Sequence, residues 1–401
     1  MQIFRVTNTA ESILFLKVPL RIYKNDPNWI RPLDKDINEV FDEKKNKSFR
    51  FGKLQRWILK DEEGNLAGRI AAFTNKKYKN KGDDVAVGGI GFFECTNNQQ
   101  AADLLLDNAK HWLIQQGMQA MDGPINFGER DRWWGMVTKG YNEPLYCMNY
   151  NPPYYVSLFK NYGFLPFFEQ VCFDMEPKAP LEKKVWDRHN IVAADKNFSA
   201  KYIDKNQLEK YAVDFAEVYN KAWAGHGGLK ELAKEQVIIM FKKMKPVMDE
   251  KIIWYVYFKE QPIGIFVNLP DLNQWFKHLH GKFGLLQKIK FLWLKKFKPN
   301  KKFTGLVFGI IPEWQGKGVD AYLIAEAAKV VQSPQVSYTE YEMQWIGDFN
   351  PKMLNIAAGI GDVKRSRNLT TFRYLFTSPM PAAMLSIFGL KSPIHCISYS
   401  V

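Results

Sequence analysis

Apolar and polar positions in the second half of the chain follow two periods. Some runs alternate every two residues, as in strands with one buried face, and others repeat every 3.6 residues, as in amphipathic helices. The predicted order is strand, helix, helix, three strands, helix, strand, helix, strand. The segments are 198–203, 207–223, 230–248, 252–258, 262–269, 303–311, 319–332, 336–346, 350–358 and 369–376.

The first half of the chain repeats most of this order. Its segments are 2–6, 10–23, 54–60, 65–73, 85–93, 99–116, 119–124, 153–162 and 167–175. A repeated pattern of this kind predicts an internal duplication. We therefore predict an α/β protein with two tandem domains, each a mixed, mainly antiparallel sheet flanked by helices. The domains are residues 1–176 and 198–401, joined by a charged linker at 177–197.

A loop with two glycines joins the predicted strand 303–311 to the predicted helix 319–332. Its sequence is Gln315-Gly316-Lys317-Gly318-Val319. Glycines let successive backbone N–H groups point at one spot, and the first helical turn adds unpaired N–H groups and the positive end of the helix dipole. The loop is therefore predicted to hold a diphosphate, with a plain surface turn as the alternative.

Two nucleotide-binding motifs fit this loop poorly. The Walker A pattern requires glycine where Ile311 stands and a hydroxyl where Gly318 stands. The dinucleotide fingerprint is matched literally by Gly316, Gly318 and Ala321, but that motif opens a unit of parallel strands. The preceding pattern here instead predicts an antiparallel meander.

The loop resembles the Gln/Arg-x-x-Gly-x-Gly/Ala element of the GNAT acyltransferases. Gln315 and Gly318 fill its first and fourth places, Gly316 fits a frequent variant, and Asp320 departs from its usually small last place. The resemblance implies acetyl-CoA or a longer acyl-CoA as co-substrate. The residues that would bind it are Gly309, Ile310, Ile311, Gln315, Gly316, Lys317, Gly318 and Val319.

The chain departs from the family at three places. The loop after the strand 85–93 contains no glycine, so the first half is expected to have lost CoA binding and to form either a wall of the substrate cleft or a purely structural domain. The tyrosine that often protonates the departing thiolate is replaced by Ala357 in the second half and by Phe159 in the first. The whole chain resembles tandem GNAT proteins.

Three residues of the second half are candidate catalytic groups. Glu340 and Glu342 share one face of the predicted strand 336–346, where they are either a base or substrate ligands, or solvated charges of an edge strand. Asn350 matches the start of a later motif that the resemblance implies.

An insertion in the first half, 128–135, places charges beside a tryptophan pair. Long ordered loops often carry function. Glu129, Arg130, Trp133 and Trp134 are therefore candidates for the substrate cleft, in which they would form a lid, or else a salt-bridged loop.

A formal net charge of +14 favours anionic partners. No Asp or Glu occurs between Leu272 and Pro312, where lysines mix with large apolar residues. This segment would lie on an anionic membrane, roof an acyl pocket, or pack as a surface helix with solvated lysines. The cysteines are widely spaced and only His278 and His280 are close together, so no metal is predicted. A cytoplasmic location is expected, because four widely spaced cysteines are typical of free thiols in a reducing compartment, and no apolar run approaches the ~20 residues of a membrane span.

These features predict an acyl-CoA-dependent N-acyltransferase whose acceptor is an amine of a small molecule or peptide. One alternative is a transferase that takes an aminoacyl group from tRNA, as other tandem GNAT proteins do. Such an enzyme would not need the pyrophosphate loop, so nucleic acid is not expected as a partner. The other alternative is an acyl-CoA or lipid-binding protein without catalysis, which the missing tyrosine favours.

Overall fold

The fold is α/β, with mostly antiparallel strands flanked by helices, as the sequence pattern predicts. A computed structural model describes residues 1–78, 85–223, 231–348 and 350–376. The strands are β1 (Gln2–Arg5), β2 (Leu54–Lys60), β3 (Leu66–Phe73), β4 (Val87–Cys95), β5 (Ala120–Gly123), β6 (Met136–Lys139), β7 (Leu165–Met175), β8 (Phe198–Tyr202), β9 (Ile253–Phe258), β10 (Gln261–Pro270), β11 (Lys302–Ile310), β12 (Glu340–Gly347) and β13 (Lys364–Leu375). The helices are α1 (Thr9–Ile22), α2 (Asp34–Phe41), α3 (Gln99–Gln115), α4 (Tyr155–Tyr162), α5 (Lys183–Ala193), α6 (Leu208–Trp223), α7 (Lys234–Met244), α8 (Asn273–Phe276), α9 (Leu285–Phe297), α10 (Val319–Val331) and α11 (Pro351–Ala358).

The chain forms two compact units. Among the described residues, the first unit consists of Met1–Gln170, Trp275–Trp293 and 367–376. The second consists of Val171–Gln274 and Leu294–Ser366. Most of β13 therefore belongs to the first unit, although it follows the second along the chain.

The sheet of the first unit has the strand order β1-β2-β3-β4-β5-β13, and β6 also pairs with β13. Its pairs are antiparallel except β4 and β5, which are parallel. Successive side chains of β2 point to opposite faces of the sheet, and both faces are covered by apolar clusters. Ile58 packs in the apolar cluster of α1, whereas Trp57 and Leu59 pack in the cluster of α3.

Local sequence signals set several helix ends in this unit. Asn8 and Glu11 form a capping box at the start of α1, with Glu11 N donating to Asn8 Oδ1 at 2.9 Å and Asn8 N donating to Glu11 Oε2 at 3.2 Å. Helix α4 ends at Gly163, whose φ of +107° is the left-handed conformation that favours glycine.

The sheet of the second unit has the order β8-β9-β10-β11-β12. Its pairs are antiparallel except β11 and β12, which are parallel. Buried side chains of α6, α7 and α10 share one apolar cluster with β9 and β10, including Phe215, Phe241 and Leu323.

The segment predicted to be a linker contains the helix α5. Val185, His189 and Val192 are buried on one side of it, at the spacing of an amphipathic helix. His189 Nε2 lies 2.7 Å from Glu326 Oε1 on α10. The many charges of 177–197 lie mostly on the exposed side of this helix, and they masked its short apolar stripe in the sequence. Helix α2 and strand β6 were also not predicted.

A buried ion pair attaches β13 to β5 in the first unit. Arg373 and Asp122 are register partners, and the guanidinium donates to both carboxylate oxygens at 2.6 and 2.9 Å. The hydroxyl of Tyr78 donates to the same carboxylate at 2.6 Å. Both members of the pair are buried, so the pair places opposite charges together where water does not solvate them.

We expect the Arg373→Met variant to lower the free energy of unfolding by about 3–5 kcal/mol, because it removes one member of a buried ion pair and leaves the other charge buried. Urea unfolding followed by circular dichroism measures the loss. Arg21→Met is the control, since Arg21 forms an ion pair of 2.9 Å with Asp61 at the surface, and its loss should cost less than about 1 kcal/mol. Equal losses in the two variants would contradict this account.

Candidate active site

Strands β11 and β12 pair over only part of their length. The parallel ladder runs from the pair Lys302 and Glu340 to the pair Gly305 and Met343. Both strands continue beyond that point, and the described residues record no further pairing between them. The two strands therefore form a wedge that opens after Gly305, on the side of the loop 315–318.

A β-bulge lies where the wedge opens. On β10, Val267 pairs with Val307 and the adjacent Asn268 pairs with Gly305. Leu306 thus has no register partner on β10, and the ladder with β12 has already ended. Bulges turn backbone groups away from the regular ladder and are frequent beside active sites. The bulge therefore leaves the backbone groups of Leu306 outside both ladders, at the point where the wedge opens.

The loop predicted to bind a diphosphate has the backbone geometry of an anion cradle. Gly316 and Gly318 have φ of +73° and +85°, and Gly318 is the N-cap of α10. Among the described residues, no carbonyl or side chain accepts a hydrogen bond from the N–H groups of Gly316, Lys317 or Gly318. The side-chain amide of Gln315 donates to Ile310 O at 3.0 Å, and thus ties the loop to the end of β11.

The surroundings of the loop suit an anionic ligand. A Cβ added to Gly316 would meet nothing within 4 Å, so this face of the loop is open. Asp320 in the first turn of α10 pairs with Arg188 at 2.7 Å, which offsets its negative charge. Lys317 is exposed beside the loop.

Of the two predicted carboxylates, Glu342 lies next to the wedge. It pairs with Thr304, one position before the last pair of the ladder. Its buried carboxylate accepts from Lys302 Nζ at 2.6 Å and from Ser366 Oγ at 2.8 Å. Glu340 is exposed at the start of β12, two residues or about 7 Å further from the wedge.

The sequence interpretation missed Tyr341. Its ring stacks on Phe303 with centroids 4.5 Å apart, and its hydroxyl occupies the space that a side chain at position 305 would need. Burial raises the pKa of Tyr341 well above its ordinary value, so the hydroxyl keeps its proton at neutral pH. The glycine inside a strand is the signal that could have found this close approach.

Two further polar groups near the start of the wedge are buried. Thr304 Oγ1 and Asn268 Oδ1 have no hydrogen-bond partner among the described residues. Buried polar atoms of this kind are rare in folded proteins and often mark a functional site.

Solved structures with the same architecture cover nearly the whole chain. A tandem GNAT protein from the clavulanic acid biosynthesis pathway aligns with a TM-score of 0.51 at 10% identity, over 94% of this chain and 99% of that one. The chain has a tandem GNAT fold. A GCN5-related glucosamine N-acetyltransferase region of a fungal β-N-acetylglucosaminidase aligns with a TM-score of 0.52 at 11% identity; it covers 93% of this chain, which spans only 38% of that multi-domain protein.

Two curated proteins also resemble the chain in sequence. A bacterial ceramide synthase of Caulobacter vibrioides is 22% identical over 90% of this chain and 94% of its own length. Protein YghO of Escherichia coli is 22% identical over 86% of this chain and 88% of its own length. No family model matches the sequence.

In the described part of the first repeat of the tandem GNAT fold, neither the wedge nor the cradle is found. Its parallel pair, β4 and β5, is followed by a segment that stays on β4, with Ile125 N donating to Ile90 O at 2.7 Å and Ile125 O lying against Gly91. The side chain of Asn98 caps α3 by accepting from Ala101 N at 3.0 Å, so one N–H group at the start of that helix is already engaged.

Other predicted residues have structural contacts in the tandem GNAT fold. The Asn350 side chain caps α11 by accepting from Met353 N at 3.1 Å. Ile310 and Ile311 are buried in the apolar cluster of the second unit, and Gly309 leaves space for the ring of Trp223. Of the predicted cofactor residues, Gly316, Lys317 and Gly318 have backbone N–H groups with no acceptor among the described residues.

The four predicted cleft residues of the first unit are divided between core and surface. Trp133 and Trp134 are buried in an apolar cluster, and the ring of Trp134 lies 5.9 Å from that of Tyr78. The guanidinium of Arg130 lies 5.2 Å from the Trp134 ring, whereas Glu129 is exposed. The tryptophan pair is thus a part of the core of this unit, rather than an exposed lid.

Among the described residues, no group of three or more His, Cys, Asp or Glu side chains is arranged to hold a metal ion. In the same part of the chain, no helix combines the length and the apolar character that crossing a membrane requires.

Proposed function

We propose that this protein is an N-acyltransferase that moves an acyl group from acyl-CoA to an amine. The observation that carries the proposal is the wedge between β11 and β12, which leads to the anion cradle at Gly316 and Gly318. From Gly305 to Ile310 the strand extends about 16 Å. A long linear arm would lie along it, with its diphosphate on the cradle and its thioester at the bulge.

Acyl transfer needs few groups from the protein, because the thioester is already activated. The amine nitrogen attacks the carbonyl carbon, the carbon–sulfur bond breaks, and the amine loses a proton while the thiolate gains one. The backbone at the Leu306 bulge is proposed to donate to the carbonyl oxygen. Glu342, which accepts from Lys302, is proposed as the base, and Tyr341 as the proton donor to the thiolate.

For the acceptor, we propose the amino group of a long-chain lipid. The resemblance to a bacterial ceramide synthase over nearly the full length supports this choice, because a ceramide is an amide of a long-chain amine. A short polar amine or a peptide is the competing acceptor. The length of the acyl chain is left open by the same reasoning.

A turnover assay tests the proposal. The protein is given acyl-CoA of graded chain length together with a long-chain amino alcohol, a short polyamine or a peptide, while free thiol is detected by colour and the amide by mass spectrometry. Thiol and amide should form in equal amounts with the lipid amine. Turnover with only the short amine or the peptide would overturn the lipid acceptor but not the reaction.

A second candidate function is acyl-CoA binding without catalysis. It is favoured by Ala357, which is buried where the family often has its tyrosine. Tight CoA binding in calorimetry with no thiol release from any pair of substrates would select it.

A further inference from the structure

Helix α9 presents an apolar surface to the outside. Leu285 and Leu286 are each 76% exposed, Ile289 is 58% exposed and Leu292 is 62% exposed. Among the described residues, eight large apolar side chains are more than half exposed, and six of these belong to α9. They are Ile191, Ile239, Leu285, Leu286, Ile289, Leu292, Trp293 and Phe297. So strong a concentration on one helix marks an interaction surface.

The opposite side of α9 packs against the residues that precede the helix along the chain. Phe291 is buried, with ring contacts to Trp275 at 5.7 Å, Phe276 at 5.6 Å and Phe283 at 6.1 Å. Lys290 Nζ donates to His278 O at 2.8 Å. The helix is therefore fixed in one orientation, with its exposed side turned away from these contacts.

Lysines border the exposed apolar face on both sides. At about 100° per residue, Leu285, Ile289 and Leu292 lie in one stripe, with Lys288 on one flank and Lys290 on the other. Both lysines are exposed. No carboxylate occurs anywhere between Leu272 and Pro312, so nothing on this segment neutralises them.

We propose that α9 docks on an anionic lipid bilayer and lies in the plane of its surface. Leucine and isoleucine would enter the boundary between headgroups and acyl chains, while Lys288 extends to the lipid phosphates and Lys290, which donates to His278 O, adds positive charge on the other flank. The charge of the segment favours an anionic bilayer over an apolar protein partner, for which the lysines would be a cost. This inference does not depend on the proposed reaction.

Vesicle co-sedimentation tests this docking with the full-length protein. Vesicles of phosphatidylcholine alone are compared with vesicles containing phosphatidylglycerol, at low and at high salt. The protein should bind the anionic vesicles, and salt should weaken the binding. In the double variant Leu286→Glu with Ile289→Glu, the partition coefficient should fall at least tenfold.

The control is Ile191→Glu on α5, because Ile191 is 74% exposed and equally apolar but lies outside the acid-free segment. It should bind vesicles like the wild type, and thermal unfolding should show both variants folded. Three results would overturn the proposal. They are no binding to anionic vesicles, equal losses of vesicle binding in the double variant and in Ile191→Glu, or equal recovery on neutral and anionic vesicles at both salt concentrations. Dimerisation that the double variant abolishes, without vesicle binding, would assign the face to a second copy of the chain.

Discussion

Replacing Gly316 by valine is expected to weaken CoA binding at least a hundredfold. Gly316 has φ of +73°, a conformation that costs other residues about 1–2 kcal/mol and β-branched residues more. The valine would either carry this strain or rotate the backbone, and rotation would turn the adjacent N–H groups away from the diphosphate. Its side chain would also fill the open space above the loop. A hundredfold loss corresponds to about 2.8 kcal/mol.

Gly64→Val is the matched control for this experiment. Gly64 lies in the turn between β2 and β3, has φ of +82°, and would also meet nothing within 4 Å. The two variants thus carry similar strain, but only one is in the cradle. Isothermal titration calorimetry with CoA should show a normal dissociation constant for Gly64→Val. An unchanged dissociation constant for Gly316→Val would show that the diphosphate of CoA does not bind at this loop.

Replacing Glu342 by glutamine is expected to lower kcat between about a hundredfold and ten-thousandfold, the usual contribution of a general base. Glutamine has nearly the same shape, its single oxygen can still accept from Lys302 Nζ, and its NH2 group can donate to Ser366 Oγ. It cannot take the proton of an attacking amine. The KM for acyl-CoA should change little, because the loop proposed to bind the diphosphate is not altered.

The control variant Glu340→Gln distinguishes a catalytic role of Glu342 from an effect of the lost negative charge. Glu340 lies two residues away on the same face of β12 and is exposed, so its variant changes the net charge equally and should keep kcat within about twofold. Thermal unfolding of both variants shows whether the fold is intact. If Glu342→Gln lost stability but retained kcat, the ion pair with Lys302 would serve only to join β11 to β12, and the base would lie elsewhere.

The sequence was most informative where structure depends on near neighbours. Two glycines between a strand and a helix predicted the cradle, because positive φ and helix N-terminal N–H groups are local properties of the chain. The alternation along β12 placed Glu340 and Glu342 on one face and Tyr341 on the other. The same reasoning distinguished the loop after β4, where Asn98 stands in place of glycine.

Tertiary structure decided the features that depend on residues distant along the chain. The charges of 177–197 concealed α5, because its apolar stripe is short and is buried only by packing against α10. Trp133 and Trp134 suggested an exposed lid in the sequence, but contacts with distant residues such as Tyr78 place them in the core. Asn350 matched a motif, and the structure shows its side chain engaged as a helix cap.

The sequence by itself thus determined the α/β class, the repeated order of elements and the position of the cradle. Only the tertiary structure decided that β11 and β12 separate after Gly305, and that Ile125 stays on β4 in the other repeat. It also decided that Glu342, rather than Glu340, lies beside the opening. Strand separation, burial and ion pairing depend on which distant segments come into contact. The alternation of apolar and polar residues along one strand does not indicate which strand pairs with it or where that pairing ends.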